Sequence, residues 1–464
     1  MRITVINSGY VGVVSAVCFC EFGFRVCVEE DDPQRLEKLK NNTAPAHEPG
    51  ISQMMKKHVA AKRLVFSDNL PRYVQQSDAI VVSVPIGKKS DMDSDLSELH
   101  KKMEQVALSL KSDGYTGIFI KTSVPIGTCS IIAKNMRFMR PDLVPGEHYD
   151  IIANPGVLRE GSAIHDFMSP SRVLIGLESD SQKARAIVSE VYSSLLKLNI
   201  PFVYSDYETI ELIRAATIGF IVTKMAFINE MAELCDRCGA DINMLIKGIS
   251  FDNGIGSKYF RVSPGIGGTS YPRTARILAA TASSLGMDLH VINSALTSNK
   301  IRVTGIKDNV MRLISDDSDS GDSVRKVSIL GLSFKQLTSD IRESASITVI
   351  QDLLGENVEV YAYDPLYKPG SEEISQIPPK IAENKNFHLV ESVYEAASQS
   401  DIIVIMTNWS EFMSIDFKKL HELMNKKPGS KPIILDYRNM FTKSEMNDFI
   451  YISQGQRTKN IFPY

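Results

Sequence analysis

The chain has 464 residues, 43% hydrophobic, 23% charged and 8% aromatic, which suits about three domains at roughly 150 residues each and a core that needs no staples. With 52 Lys+Arg against 55 Asp+Glu, a net charge of −3, it lacks the basic surplus of a nucleic-acid binder. Its largest clearly uncharged apolar stretch, residues 215–223, is far short of the ~20 residues that span a bilayer, and six cysteines are too few for a disulfide scaffold. No nucleic acid or membrane partner is expected, and a reducing cytoplasmic setting fits.

Residues 2–7 alternate and are rich in β-branched side chains, residues 13–24 read as a helix, and residues 25–29 as a second strand. This is a β-α-β unit with a glycine turn at its first junction. The apolar start after Arg2 could pass for a signal peptide. Gly9-Tyr10-Val11-Gly12 breaks it where a strand would turn into a helix, and no A-x-A-like cleavage site follows. Strand-like runs return at residues 79–84, 117–121 and 149–153 with helical patterns between them, which argues for a parallel, doubly wound sheet.

From residue 208 to 238 the pattern is helical without a break, a length of roughly 45 Å at 1.5 Å per residue. Cys235-Asp236-Arg237-Cys238 is formally C-x-x-C, but it lies late in that helix and reads as two half-buried cysteines rather than a redox pair. The polar segment 315–323 has the composition of a solvated linker. The α/β rhythm then restarts with strands at residues 326–332, 358–363, 401–407 and 432–436 and a helix at 344–354. The expected architecture is therefore α/β: two doubly wound Rossmann-like domains, residues 1–200 and 326–464, joined by a helical dimerisation region at 201–300 and a linker at 301–325.

The sharpest local motif is Asn7-Ser8-Gly9-Tyr10-Val11-Gly12, between a strand and a helix. Dinucleotide folds place G-x-G-x-x-G here, for a tight turn and close backbone approach to a pyrophosphate. The first glycine is replaced by Asn7, a residue type that tolerates left-handed backbone angles. Glu30, eighteen residues past Gly12, stands where an acid bonds the adenosine ribose and favours NAD over NADP.

Further stretches follow in order. They are His47-Glu48-Pro49-Gly50, Lys121-Thr122-Ser123-Val124-Pro125, Asn154-Pro155, Leu158-Arg159-Glu160-Gly161, Pro170-Ser171-Arg172 and Glu211-Leu212. After them come Gly265-Ile266-Gly267-Gly268, Phe334-Lys335 with Thr338, Asp340 and Arg342-Glu343-Ser344, then Asp364-Pro365, Asn408-Trp409, and Asp436 with Arg438. On these, from residue 2 to about residue 441, the chain resembles the UDP-glucose/GDP-mannose dehydrogenase family, and most of all its branch acting on UDP-glucose. The resemblance implies an NAD domain, a helical dimerising middle and a nucleotide-sugar domain. It assigns NAD contacts to Gly9, Tyr10, Val11, Gly12, Glu30, Arg35, Val84, Pro85, Ser123, Glu160, Arg273 and Arg342. It assigns nucleotide-sugar contacts to Leu158, Arg159, Glu160, Arg214, Ile218, Arg261, Gly265, Gly267, Phe334, Lys335 and Arg438, and implies no metal.

Family members oxidise an alcohol to a carboxylate with two NAD, trapping the aldehyde on a cysteine in G-G-S-C-F-x-K-D. The corresponding stretch is Gly267-Gly268-Thr269-Ser270-Tyr271-Pro272-Arg273-Thr274, with Ser270 at the nucleophile and Thr274 at the aspartate. The family's lysine is Arg214, which keeps a charge but cannot release a proton near neutrality. Its asparagine is Ile218, the glutamate of N-P-E-F is Gly156, and the arginine sent into the partner's site is Gly254. Ser123 keeps the hydroxyl of a family threonine. The catalytic positions are thus Ser270, Glu160, Ser123 and Arg214. The expectation is a protein that binds NAD and a nucleotide sugar, as a homodimer or with an active paralogue, without the four-electron oxidation. The alternatives are an oxidoreductase of altered chemistry, stopping at one hydride transfer or using NAD transiently, and a ligand-free assembly protein.

Overall fold

The computed structural model describes residues 1–90, 93–315, 325–356, 358–424 and 431–456. The chain divides into two units, Met1–Thr217 with Ala280–Met287, and Ile218–Ala279 with Asp288 onward.

The first unit holds strands β1 (Arg2–Ile6), β2 (Arg25–Glu29), β3 (Leu64–Ser67), β4 (Ala79–Val82), β7 (Thr116–Ile120), β8 (Tyr149–Ala153), β9 (Val173–Gly176) and β10 (Phe202–Ser205). A separate hairpin pairs β5 (Gly87–Ser90) with β6 (Asp93–Asp95). The eight-stranded sheet runs β10-β9-β8-β7-β4-β1-β2-β3. Its order reverses at β1, so the C-terminal ends of β1 and β4 open a crevice. The central strands are short runs of buried apolar residues, as strands covered on both faces should be. The helix Tyr10–Glu21 is buried from Gly12 through Cys20, which erases the amphipathic signal. It starts three residues before the expected 13 and stops at Glu21, because Gly9 supplies the N-cap and Gly23, at φ 96°, turns the chain after it. The sheet departs from the all-parallel expectation at one point: β8 and β9 meet antiparallel at Ala153 and Gly176.

The second unit holds β11 (Arg325–Leu330), β12 (Val358–Tyr363), β13 (Phe387–Leu389), β14 (Ile402–Ile405), β15 (Ile433–Asp436) and β16 (Ile450–Ser453). They form one parallel sheet in the order β13-β12-β11-β14-β15-β16. The central helix Tyr207–Cys238 has 32 residues, roughly 48 Å at 1.5 Å each, and the division between units falls within it. Of its terminal cysteines Cys235 is buried and Cys238 exposed, both free thiols, and burial pushes Cys235 up. A second long helix, His290–Ser315, follows. Of the linker expected at residues 301–325, residues 301–315 instead continue this helix, and the rest of the polar segment 315–323 beyond Ser315 lies outside the described residues.

Candidate functional site

Strand β1 ends in a turn made by Asn7 at φ 76°, a left-handed angle that asparagine accepts. Its amide donates to Glu29 O at 3.1 Å, holding the turn against β2. Gly12 has no alternative: a Cβ there would lie 2.1 Å from Asn7 O and 2.6 Å from Ser83 Oγ. The helix Tyr10–Glu21 therefore starts tight against the strand, with a glycine cap, no side-chain cap and no acid in its first turn. That cradle fits a dinucleotide diphosphate, because bare first-turn amides and the helix dipole favour an anion. Pro85 Cγ lies 3.5 Å from the Cβ position of Gly9, and Val84 O accepts from Thr122 Oγ1 at 2.9 Å.

Glu30 is 2% exposed. Ser8 Oγ donates to one carboxylate oxygen and the Asp32 amide to the other at 2.9 Å, while Arg35 Nη1 lies 3.9 Å away. The acid, the basic residue and the glycine turn expected from the sequence are thus gathered at one end of the sheet.

The Leu158–Gly161 stretch is organised by Glu48, whose role in it the sequence reading did not foresee. The Glu48 carboxylate accepts from Tyr10 OH and from the amides of Gly161 at 2.7 Å and Ala163 at 2.8 Å. Burial and that carboxylate raise the Tyr10 phenol well above its ordinary value. Glu48 so ties the start of the helix Tyr10–Glu21 to the turn carrying Glu160. Arg159 is engaged by Asp166 through Nε at 2.9 Å and Nη2 at 2.6 Å. Leu158 lines a small cavity with Lys121, Asn154 and Gly156. Lys121 Nζ donates to Asn154 Oδ1 and bonds Tyr192 OH, each at 3.1 Å, and burial pushes it down to about 8. A Cβ on Gly156 would meet nothing closer than 3.7 Å.

Arg214, 8% exposed, donates from Nε to Ser123 Oγ at 3.3 Å. Beside it Glu211 accepts from the Gly127 amide at 2.6 Å and the Cys129 amide at 2.9 Å, fixing the start of the helix Thr128–Met139. Ile218, one turn beyond Arg214, is fully buried among Val222, Ile266 and Ala275. It packs as a core residue and presents no polar atom.

The second unit gathers the remaining positions. Gly267 and Gly268 press on Phe334: a Cβ would fall 2.8 Å from its side chain at either glycine. Gly265 is closed in by Val303, 2.6 Å from its Cβ position. The Gly268 amide donates to Arg342 O at 3.1 Å, and Asn299 Oδ1 accepts from the Ile266 amide at 2.7 Å. Arg261 is exposed at the start of this loop. Ser270, exposed, heads the helix Tyr271–Ser284, its carbonyl accepting from Thr274 at 3.1 Å. In the first turns Arg273 is lowered by burial and by the neighbouring Arg276 and Arg342, while Arg276 pairs with Glu343. Arg342 donates to Asp340 from Nε at 2.8 Å and Nη2 at 2.9 Å. Lys335 Nζ lies 5.5 Å from the Phe334 ring centroid. Arg438 gives Nε to Met406 O and Nη2 to Phe334 O, both at 2.7 Å, so it also braces the loops it was expected to serve. Asp364 does the same beneath them, accepting from Leu332, Ser333 and Trp409 Nε1 at 2.8, 3.0 and 3.0 Å. Among the described residues no cluster could hold a metal, and no helix is long and apolar enough to cross a membrane.

A glycine-turned Rossmann sheet with a buried acid beside its turn, a long helix and a second parallel sheet define an NAD-binding protein of the two-Rossmann class. Residues 1–196 match the NAD binding domain of the UDP-glucose/GDP-mannose dehydrogenase family, residues 208–301 its central domain and residues 328–443 its UDP binding domain. The chain belongs to that family. It is 33% identical over 459 residues to a UDP-glucose 6-dehydrogenase of Rhizobium meliloti, covering 98% of this chain and 100% of that one. It is 32% identical over 458 residues to UDP-glucose 6-dehydrogenase TuaD of Bacillus subtilis, covering 98% and 93%. Among solved structures, a UDP-glucose dehydrogenase from Pyrobaculum islandicum matches with a TM-score of 0.84 at 25% identity, covering 99% of this chain and 98% of that one. A UDP-D-ManNAc dehydrogenase from Pyrococcus horikoshii matches with 0.81 at 22% identity, covering 98% and 99%, a likeness of fold.

Proposed function

We propose that this protein binds NAD and a UDP-sugar of the UDP-glucose type but does not carry the sugar through the family's four-electron oxidation. Bound NAD supplies a hydride acceptor. The chain must supply everything else: an aldehyde trap, a group that moves the alcohol proton, and donors for the developing oxyanion. The observation that carries the reading is Ser270 at the head of the helix Tyr271–Ser284. A thiolate there would gain from the helix dipole, whereas a serine hydroxyl needs a base to become a nucleophile. Arg214 offers a fixed cation already shared with Ser123, and Ile218 is sealed into an apolar cluster.

The ligand-binding half of the assignment rests on the glycine turn, Glu30 and Arg35 for NAD, and on the Gly265–Gly268 loop with Phe334, Lys335 and Arg438 for the nucleotide sugar. A second copy of the chain fits the central helix, where Leu212, Phe220, Phe227 and Leu234 are 45%, 66%, 47% and 52% exposed at near-heptad spacing; a catalytically complete relative is the other candidate. Free thiols at all six cysteines fit a cytoplasmic setting. A second reading, one hydride transfer without aldehyde capture, is favoured by the Arg214–Ser123 contact and by Glu160, which keep polar groups in place. Calorimetric titration with NAD and with UDP-glucose tests the binding half: heats saturating below millimolar concentration support it, and none with either ligand refutes it.

A further inference from the structure

The turn that interrupts the glycine motif does more than substitute for a glycine. Asn7 Oδ1 accepts a hydrogen bond from the Gly9 amide at 2.8 Å, an Asx turn in which the side chain satisfies the backbone two residues on. Gly9 is the motif's second glycine, the one whose bareness lets the main chain approach a pyrophosphate. The same oxygen lies 3.0 Å from where a Cβ on Gly9 would be, so it also stands over the surface that a glycine leaves open. Asn7 and Gly9 are both partly exposed. By contrast Ser8, whose hydroxyl donates to Glu30, is buried.

From this we propose that the Asn7 carboxamide is a built-in occupant of the amide that a dinucleotide diphosphate uses, and that it sets this protein's affinity for NAD. The inference rests on the NAD assignment and deepens it. A glycine at position 7 would adopt the same left-handed angle and leave the Gly9 N–H bare, so a diphosphate oxygen would meet an unpaired donor. With asparagine, binding first breaks a satisfied hydrogen bond. Exchanging one neutral hydrogen bond is worth about a 2- to 12-fold change in affinity. The effect belongs to the diphosphate alone, because Asn7 lies at the turn while Glu30, the candidate ribose contact, is held separately by Ser8 and Asp32.

The test measures dissociation constants of the full chain and its Asn7→Gly and Asn7→Asp variants for NAD, ADP-ribose and adenosine by calorimetry. Asn7→Gly is expected to tighten NAD and ADP-ribose by about 2- to 12-fold while adenosine stays within about 1.5-fold. Asn7→Asp keeps the acceptor and adds a negative charge beside the diphosphate, so NAD and ADP-ribose weaken below the unmodified protein and adenosine does not. A purely structural role for Asn7 would move all three ligands together, or none. Equal NAD affinity in all three proteins, or an adenosine gain matching the NAD gain, overturns the proposal while leaving the NAD assignment standing. Failure of NAD to bind both the unmodified chain and Asn7→Gly overturns that assignment and the proposal with it.

Discussion

Replacing Gly12 by alanine should damage this protein far more than replacing Gly9, although both belong to the same motif. The Cβ of Gly12→Ala would sit 2.1 Å from Asn7 O and 2.6 Å from Ser83 Oγ. Ordinary contacts begin near 3.4 Å, so the overlap with the carbonyl exceeds 1 Å. That carbonyl cannot yield, because Ser83 Oγ donates to it at 3.1 Å and the Asn7 amide is bound to Glu29 O at 3.1 Å. Relief requires the helix Tyr10–Glu21 to move off β1, at the overpacking cost of about 1–3 kcal/mol. For a unit of this size that is a melting-temperature loss of roughly 2–12 °C. The same shift displaces the diphosphate cradle, so NAD affinity should fall by at least about tenfold, the effect of 1.4 kcal/mol. At Gly9 the new Cβ meets the end of the Asn7 side chain at 3.0 Å and Pro85 at 3.5 Å, and the carboxamide can rotate away. Gly9→Ala should melt within about 2 °C of the unmodified protein, a surface-like change. Differential scanning calorimetry and NADH titration decide the matter. A Gly12→Ala protein with unchanged melting and unchanged affinity would refute the packing argument.

Lys102, 2% exposed, reaches Glu29 at 2.7 Å and Asp31 at 3.0 Å. Lys102→Met strands a buried carboxylate and should cost about 3–5 kcal/mol in chemical denaturation, whereas Glu29→Val with Lys102→Met should be neutral or more stable. Burial lifts Asp236 to about 6, above its ordinary 3.8, so its ionisation opposes folding: the penalty is absent below about pH 4, accrues as pH rises to about 6 and is full above. Asp236→Asn should therefore raise the melting temperature at pH 8 and leave it unchanged at pH 4; the opposite pattern would contradict the assignment. Ser270→Cys alone should not restore oxidation of UDP-glucose to UDP-glucuronate in an NADH assay. The combination with Arg214→Lys, Ile218→Asn and Thr274→Asp has the groups to do so.

Much of this was legible from the chain because Rossmann strands are short apolar runs closed by recognisable turns. Residues 25–29, 149–153 and 358–363 were located to the residue, and the glycine turn was placed despite Asn7. The helix Tyr10–Glu21 was misplaced because burial on every side leaves no periodicity to read, and its start is set by the Gly12 contact with Asn7 and Ser83. The helix His290–Ser315 escaped notice for another reason: its sequence mixes small polar and apolar residues with no cap signal strong enough to mark its ends. Within the site, residue types could be read but their partners could not. Nothing local to Glu48 foretells that it will gather Tyr10, Gly161 and Ala163, since those amides arrive from more than a hundred residues away. Ile218 was expected beside substrate from its position in the motif. Only the fold reveals that it has joined the cluster of Val222, Ile266 and Ala275.

The central claim is that this protein binds the ligands of its family without completing their reaction. Anaerobic incubation of the unmodified protein with NAD and UDP-glucose, following NADH and the sugar product together, tests it directly. No UDP-glucuronate and no accumulation of two NADH per sugar are expected. Steady formation of two NADH with one UDP-glucuronate would contradict it.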